Sequence, residues 1–433
     1  MTSPSQRTQQ ALLASLSPLD SSPWQVILDH PAHIPGIDEV VVETRYVGLN
    51  PDDVKSISRR CRLAENGKVL GTDGAGIVVA VGARVTNLNI GDRVWACSNP
   101  AMPNSGTYQH YSVHKAAQVC RIPTSMSLIS AAAVGTGFLT AAITMFRCFG
   151  FPISTERSMV TSAHCPWIFI TSGLSSTGLY LIQMACHLGL RVITTAPKPQ
   201  HAYLIRLGAN VVLDSQEVEA EADLVAAVRQ YTDDSVTLAV DDVGPETALA
   251  CRHILEGSAR WRAINENYSA NFFTDGHWGG PTRAQLVVLA GIPPISLSAS
   301  FDALRKVEHL GVSFKMSWFD DDDFAAQLAS YAYVRFGNRT LRPQETDLDE
   351  GGLECIPAAL ERVQYGDHVA GHKVVVGLNV PFVPQKWEET EMEERVREAM
   401  RRVKKQRSAS RSVSGDEPQL IKRARVYIEL PSV

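Results

Sequence analysis

The segment from Trp167 to Asp214, WIFITSGLSSTGLYLIQMACHLGLRVITTAPKPQHAYLIRLGANVVLD, limits what this chain can fold into more than any other. Trp167 to Thr171 is a short apolar run with β-branched residues, the length of a buried strand. Small residues follow it: Ser172, Gly173, Ser175, Ser176, Thr177 and Gly178. From Leu179 to Leu188 apolar residues recur at helical spacing, and Gly189 supplies a C-cap. Arg191 to Ala196 reads as a second strand. Gln200 to Leu207 reads as a second helix closed by Gly208, and Val211 to Leu213 as a third strand. Strand, helix, strand, helix, strand is half of a doubly wound parallel sheet, so the chain is of the α/β class.

The first turn of that unit carries specific chemistry. A strand that ends in small residues and enters a helix presents free N–H groups at the positive end of a helix dipole. Small side chains there let a pyrophosphate come close. The loop is richer in hydroxyls than in glycine and departs from the G-x-G-x-x-G spacing, so alone it also fits a serine-rich turn that binds nothing. The end of the second strand reads Thr194, Thr195, Ala196, Pro197, Lys198, Pro199. An acid at this point grips a ribose 2′-OH, and a base accommodates a 2′-phosphate. No acid stands here, and Lys198 does, which favours NADPH; the alternative is an ordinary solvated lysine. Further on, Asp242 and Val243 lie in the turn after the strand Thr237 to Val240, at a carboxyl end where such sheets bind ligands.

Composition bounds the rest. With 433 residues, 45% of them hydrophobic and 20% charged, the chain can bury a sizeable core in two or three domains. A formal net charge of −5 gives no basic field, so no nucleic-acid partner is expected. No apolar run reaches the length of a membrane-crossing helix. The N-terminal MTSPSQRTQQALLASLSP lacks the basic and long apolar regions of a secretion signal. Eight scattered cysteines without a C-x-x-C fit reduced thiols. Together these imply a cytoplasmic protein with no membrane contact and no structural metal lobe.

Along the chain, residues 1–23 read as a flexible arm. Gln25 to Leu28 and Glu39 to Val47 read as strands. Pro51 opens a short helix from Asp52 to Ile57. Glycines at 71, 74, 76, 82 and 91 punctuate strands Ile77 to Val81 and Arg93 to Trp95, and Gly106 to Val113 reads as another, a pattern of small β-barrels. Ser127 to Phe149 is a helical run interrupted at Gly135 to Gly137. Residues 256–283 lack a period and read as an insertion. Asp320 to Asp323 precede a helix from Phe324 to Phe336, and Ile356 to Val363 and His372 to Leu378 close the body. Beyond Pro381 the composition becomes charged. Met392, Val396, Met400 and Val403 leave a thin apolar stripe beside Arg401, Arg402, Lys404 and Lys405, so 381–433 is expected to lie outside the globular body.

Three segments, GTDGAGIVVAVGARVTNLNIGDRV, IPTSMSLISAAAVGTGFLTAA and LGANVVLD, resemble the medium-chain dehydrogenase/reductase superfamily. The resemblance covers roughly residues 24–255 and 284–378. It implies a GroES-like β-barrel domain (24–140 and 325–380) joined to a Rossmann doubly wound NADP-binding domain (141–324). Zinc-dependent members carry a cysteine and a His-Glu pair where this chain has Asn50 and Thr72-Asp73. A catalytic zinc needs three protein ligands and an open position, so the resemblance is to the zinc-independent quinone and enoyl reductase branch. The turn GLNPDDVK, Gly48 to Lys55, is most similar to fungal trans-acting enoyl reductases. They serve polyketide synthases and reduce an α,β-unsaturated thioester on an acyl carrier domain with NADPH.

By that resemblance Pro51, Asp52, Asp53 and Val54 flank the nicotinamide. Ser172, Gly173, Ser175, Ser176, Thr177 and Gly178 hold the pyrophosphate, with Thr195, Ser215, Asp242 and Val243 completing the nucleotide site. Lys198 meets the 2′-phosphate. Ile292, Pro293, Val374 and Val375 are counted with the same cofactor. Gly135, Thr136, Gly137, Phe138, Leu139, Thr140, Ala141 and Ala142 line the junction of cofactor and acyl chain. Hydride goes to the β-carbon, and the α-carbon takes a proton from water, Thr140 or Lys55. A quinone oxidoreductase on small free substrates, a degenerate reductase serving as a scaffold, and a monomeric or homodimeric state all remain open.

Overall fold

The computed structural model describes residues 8–14, 24–57, 68–154, 166–257, 284–289 and 307–380. These fall into two compact units. The first runs to Gly135 and takes back Thr346–His368 and the segment from Val374. The second holds Thr136–Glu345 and Val369–Lys373. The boundaries therefore lie at 135/136 and 345/346, where the sequence suggests 140/141 and 324/325.

The first unit opens with β1 (Thr8–Ala14), antiparallel to β2 (Trp24–Pro31). Within the arm expected over 1–23, the described residues, Thr8–Ala14, form a strand instead. Ala11 and Leu12 are fully buried, and the Gln9 amide donates to Gln109 Oε1 at 2.9 Å while its oxygen accepts Tyr111 N at 2.6 Å. Next come β3 (Glu39–Gly48), α1 (Pro51–Ile57), β4 (Asp73–Val81), β5 (Arg93–Cys97), β6 (Tyr111–Lys115), β7 (Val119–Arg121) and α2 (Leu128–Ala132). Pro51 starts α1 with a preset φ, and Asp52 and Asp53 in the first turn suit its dipole. The strand expected over Gly106 to Val113 begins only at Tyr111. Ahead of it the Gln109 side chain donates to Gly106 O at 2.7 Å and Asn104 O at 3.0 Å, which holds the chain in turns.

The helical run from Ser127, expected to break at Gly135 to Gly137, is three pieces, and those glycines open the second of them. α2 is capped by Ser127, whose hydroxyl accepts Ser130 N. α3 (Gly135–Ile143) follows, and a single wide π-helical turn, Thr144–Cys148, ends the run. The second unit continues with β8 (Trp167–Ile170), α4 (Ser176–His187), β9 (Arg191–Ala196), α5 (His201–Leu207), β10 (Val211–Asp214), α6 (Glu221–Thr232), β11 (Val236–Asp241), α7 (Pro245–Gly257), β12 (Ala284–Val288), β13 (Val307–Leu310) and α8 (Asp322–Gly337). All six strands pair in parallel, in the order β10-β9-β8-β11-β12-β13. Phe169, Ile193, Ala239, Cys251 and Leu286 centre its core. α8 belongs to this unit because Tyr331 and Phe336 pack on Phe138, with ring centroids 6.5 and 5.6 Å away.

The chain then returns to the first unit as β14 (Thr346–Asp349) and α9 (Ile356–Tyr365), and β15 (Lys373–Gly377) follows. The sheet of that unit runs β14-β15-β3-β4-β5-β7, with β6 also on β3. Val47, Leu49, Tyr108, Ile356, Leu360 and Val376 share one of its cores. The expected pairing of a small β-rich domain with a doubly wound parallel sheet is what the structure contains. No helix among the described residues is long and apolar enough to cross a membrane.

Candidate functional site

In the second unit the decisive place is the carboxyl end of β8. Its neighbours are β9 on one side and β11 on the other, so chain order reverses there. Crevices at such switch points bind ligands in doubly wound sheets. The turn leaving β8 enters α4 through Ser175. The Ser175 hydroxyl accepts Gly178 N at 2.8 Å and donates to Ser172 O at 3.1 Å. This cap fixes the first helical turn and uses one of its orphan N–H groups. Gly178 is required by space: a Cβ there would lie 1.9 Å from Ser172 O. Gly137 of α3 lies against the same start, where a Cβ would be 2.8 Å from Ser176 Cβ.

The frame around this turn is made of hydroxyls. Thr171 Oγ1 accepts Asp242 N at 3.0 Å. Asp241, fully buried, accepts Thr247 Oγ1 at 2.6 Å and Gly244 N at 3.2 Å. Burial raises its carboxyl above the usual range, and these bonds oppose the rise. Thr194 Oγ1 donates to Ile170 O at 2.8 Å, and Thr195 Oγ1 donates to Thr171 O. The Thr195 hydroxyl is thus spent on the sheet frame. Lys198, largely exposed, has Glu217 at 3.9 Å. Ser215 donates its backbone N–H to Ala196 O at 3.1 Å beside it. The free N–H groups of the α4 terminus suit a pyrophosphate. The end of β9 carries no acid in its own turn and offers the Lys198 cation, with Glu217 facing it from the turn after β10.

In the first unit a polar core forms around the start of α1. Asp53 is buried. Its Oδ2 accepts Asn50 N at 2.9 Å and Tyr108 OH at 2.8 Å, and its Oδ1 accepts Thr72 Oγ1 at 2.6 Å. Burial is the main force pushing its carboxyl up, to about 6, and the nearby Asp73 adds to it; the hydrogen bonds oppose the rise. Asp73, also buried, accepts Asn50 Nδ2 at 3.0 Å and Cys97 Sγ at 3.3 Å. Burial and the adjoining Asp53 carry the Tyr108 phenol well above its ordinary value, so it stays a donor.

The sequence-predicted residues fare unequally. Ser172, Gly173, Ser175, Ser176, Thr177 and Gly178 gather at one turn, with Asp242 in hydrogen-bond contact with its frame. Val243 is 55% exposed beyond it. Around α1, Pro51 and Asp52 are exposed, whereas Asp53 faces inward and Val54 packs against the core. Lys55 Nζ bonds Asp52 Oδ1 at 2.8 Å on the surface. Phe138, Leu139, Ala141 and Ala142 are fully buried side chains of α3, and Thr140 is 9% exposed. At the start of α3, Gly135 and Gly137 are buried too, and Thr136 is half-buried. Val374 and Val375 are buried in β15, where Val374 O accepts Leu49 N at 3.0 Å. Ile292, Pro293 and residues 258–283 and 381–433 lie outside the described residues. Sequence reasoning missed Tyr108, Thr72 and Cys97. The only local hint was the adjacency of Thr72 and Asp73 to glycines on both sides.

A zinc ion does not suit this core. The Asn50 amide and Asp73 carboxylate are hydrogen-bonded to each other, and Asp73 holds the Cys97 thiol as an acceptor. Among the described residues no three His, Cys, Asp or Glu side chains are grouped to hold a metal. The purified protein is therefore expected to carry well under one zinc per chain by elemental mass spectrometry; one zinc per chain would contradict this.

Two family models match the chain: an alcohol dehydrogenase GroES-like domain over residues 36–124 and a zinc-binding dehydrogenase domain over 176–259. The trans-enoyl reductase caaB of Aspergillus niger is 29% identical over 238 residues, 52% of this chain and 63% of its own. The trans-enoyl reductase phm4 of a Pyrenochaetopsis species is 32% identical over 365 residues, 81% of this chain and 92% of its own. Among solved structures, CurK enoyl reductase superposes with a TM-score of 0.63 at 17% identity, covering 86% of this chain and 99% of that one. A mycobacterial protein solved with NADPH gives 0.62 at 20% identity, with the same coverage. The two domains, their order, and a relative matched along nearly its whole length agree. The chain belongs to the medium-chain dehydrogenase/reductase superfamily of nicotinamide-dependent oxidoreductases, on the branch that holds the fungal trans-enoyl reductases.

Proposed function

We propose that this protein is an NADPH-dependent enoyl reductase that works in trans. It reduces α,β-unsaturated acyl thioesters presented by the acyl carrier domain of a polyketide synthase. The observation that carries the cofactor choice is the end of β9: Thr195 turns its hydroxyl to Thr171 O, no acid follows in the strand's own turn, and Lys198 stands exposed with Glu217 3.9 Å away. An acid at the strand end would grip a ribose 2′-OH instead; the Lys198 cation attracts a 2′-phosphate. The relatives named trans-enoyl reductases support the substrate class, and the neighbour solved with NADPH supports the cofactor.

When bound, NADPH supplies a hydride to the β-carbon of the enoyl thioester. The chain's own share is placement. Ser175 holds the α4 start so that its free N–H groups face a pyrophosphate, and Thr171 and Asp241 brace the adjoining strand ends. α1 presents Pro51, Asp52 and Lys55 on its exposed side. The proton for the α-carbon comes from water or from a hydroxyl or ammonium group of the chain, with Thr140 and Lys55 as candidates.

The Lys198 contact is tested directly. Lys198→Ala is expected to weaken NADPH about tenfold, near the lower end of a charge-assisted contact worth about 1.5–3 kcal/mol, and to leave NADH unchanged. Fluorescence titration of both cofactors measures this. Equal affinity for NADPH and NADH in the native protein would overturn the cofactor assignment.

A further inference from the structure

We propose that Asn50 and Asp73 form a clamp within the first unit that fixes the start of α1 against the backbone at Gly135. Asn50 is then a positioning residue for the reductase reaction. This rests on the reductase reading above. Asp73 sits at the head of β4 and reaches two places. Its Oδ2 holds the Asn50 amide at 3.0 Å, and its carboxyl lies against the backbone at Gly135, where an added Cβ would come within 2.2 Å of Cγ. Cys97 Sγ, donating at 3.3 Å, fixes the second oxygen.

Asn50 is pinned on three sides. Its side chain is held by Asp73, its N–H by Asp53 Oδ2 at 2.9 Å, and its carbonyl accepts Asp53 N at 3.1 Å. The preceding Leu49 N is tied to Val374 O at 3.0 Å. The residue after it is Pro51, whose ring leaves the backbone little freedom. The result is an inflexible turn that presents the exposed face of α1. Carboxylate, amide and Cα-only glycine are all needed: a larger residue at 135 would displace Asp73, and an aliphatic residue at 50 would free the turn.

The test uses the full chain, NADPH and crotonyl-N-acetylcysteamine thioester. Asn50→Ala is expected to lower kcat roughly tenfold to a hundredfold, the scale of a small misplacement of reacting groups, while the Kd of NADPH stays within about twofold of native. Asp73→Ala, which removes the acceptor, is expected to do the same, and the double variant to be no slower than the worse single, because both break one bond. Asn50→Ser serves as a milder probe if Asn50→Ala fails to fold. Native kcat in folded Asn50 variants, or effects that simply add, would overturn the clamp and leave the reductase reading standing. Native protein that oxidises no NADPH with the thioester would overturn both.

Discussion

Gly178→Ala is expected to abolish measurable NADPH binding at micromolar concentrations and to lower the melting temperature. The added methyl would lie 1.9 Å from Ser172 O, a backbone atom that cannot rotate away. Either the β8–α4 turn opens or α4 shifts. Both break the Ser175 cap, whose hydroxyl holds Gly178 N at 2.8 Å. Overpacking of this kind typically costs up to about 3 kcal/mol. The phosphate loses aligned N–H groups as well, and hydrogen bonds to charged groups contribute about 1.5–3 kcal/mol each, so binding falls roughly a hundredfold or more. Cofactor titration followed by a thermal melt separates the two effects. Native affinity in this variant would show that the turn does not hold the pyrophosphate.

Asp53→Ala is the second large effect, and it falls on stability. It removes the acceptor for Asn50 N, Thr72 Oγ1 and Tyr108 OH at the centre of the first unit. Buried donors left without partners cost about 1–3 kcal/mol each, so a loss of roughly 3–5 kcal/mol is expected. Asp53→Asn keeps the shape and serves to read the pH dependence. The folded carboxyl is held up at about 6 by burial, with Asp73 adding to the rise and Thr72, Asn50 and Tyr108 opposing it. The folded state therefore binds the proton more tightly than the unfolded chain does. The stability this proton gives is fully present below about pH 4 and is lost as pH rises through about 6, a change of at most about 3 kcal/mol. Native protein should thus lose stability relative to Asp53→Asn between pH 4 and 7, read from paired chemical melts. Parallel curves would show that Asp53 does not titrate in that window.

The two halves of the candidate site were unequally legible, and the reason is sequence distance. The turn from Ser172 to Gly178 was readable because cap, glycine and helix lie within seven consecutive residues and act on one another. The parallel sheet was readable for the same reason, since each βα step repeats a local pattern. The polar core was not. Asp53 in a first helical turn looks like an ordinary N-terminal acid, and only Tyr108, 55 residues on, turns it into a buried acceptor. β1 was missed because Gln9 and Gln10 read as surface residues; Gln9 is buried only because Gln109 and Tyr111 complete its hydrogen bonds. The α3 side chains are ambiguous in another way. A run of Phe138, Leu139, Ala141 and Ala142 suits an acyl pocket and a helix core equally well. Phe138 settles into the core by meeting Tyr180, Tyr331 and Phe336.

The measurement that bears most directly on the central claim follows deuterium from NADPH labelled at the hydride position. The purified protein is mixed with the labelled cofactor and an enoyl thioester loaded on an acyl carrier domain, and the product is analysed by mass spectrometry and NMR. A saturated acyl thioester with one deuterium at the β-carbon is the predicted result. An unchanged enoyl thioester, alongside rapid NADPH oxidation by a small free quinone, would contradict it.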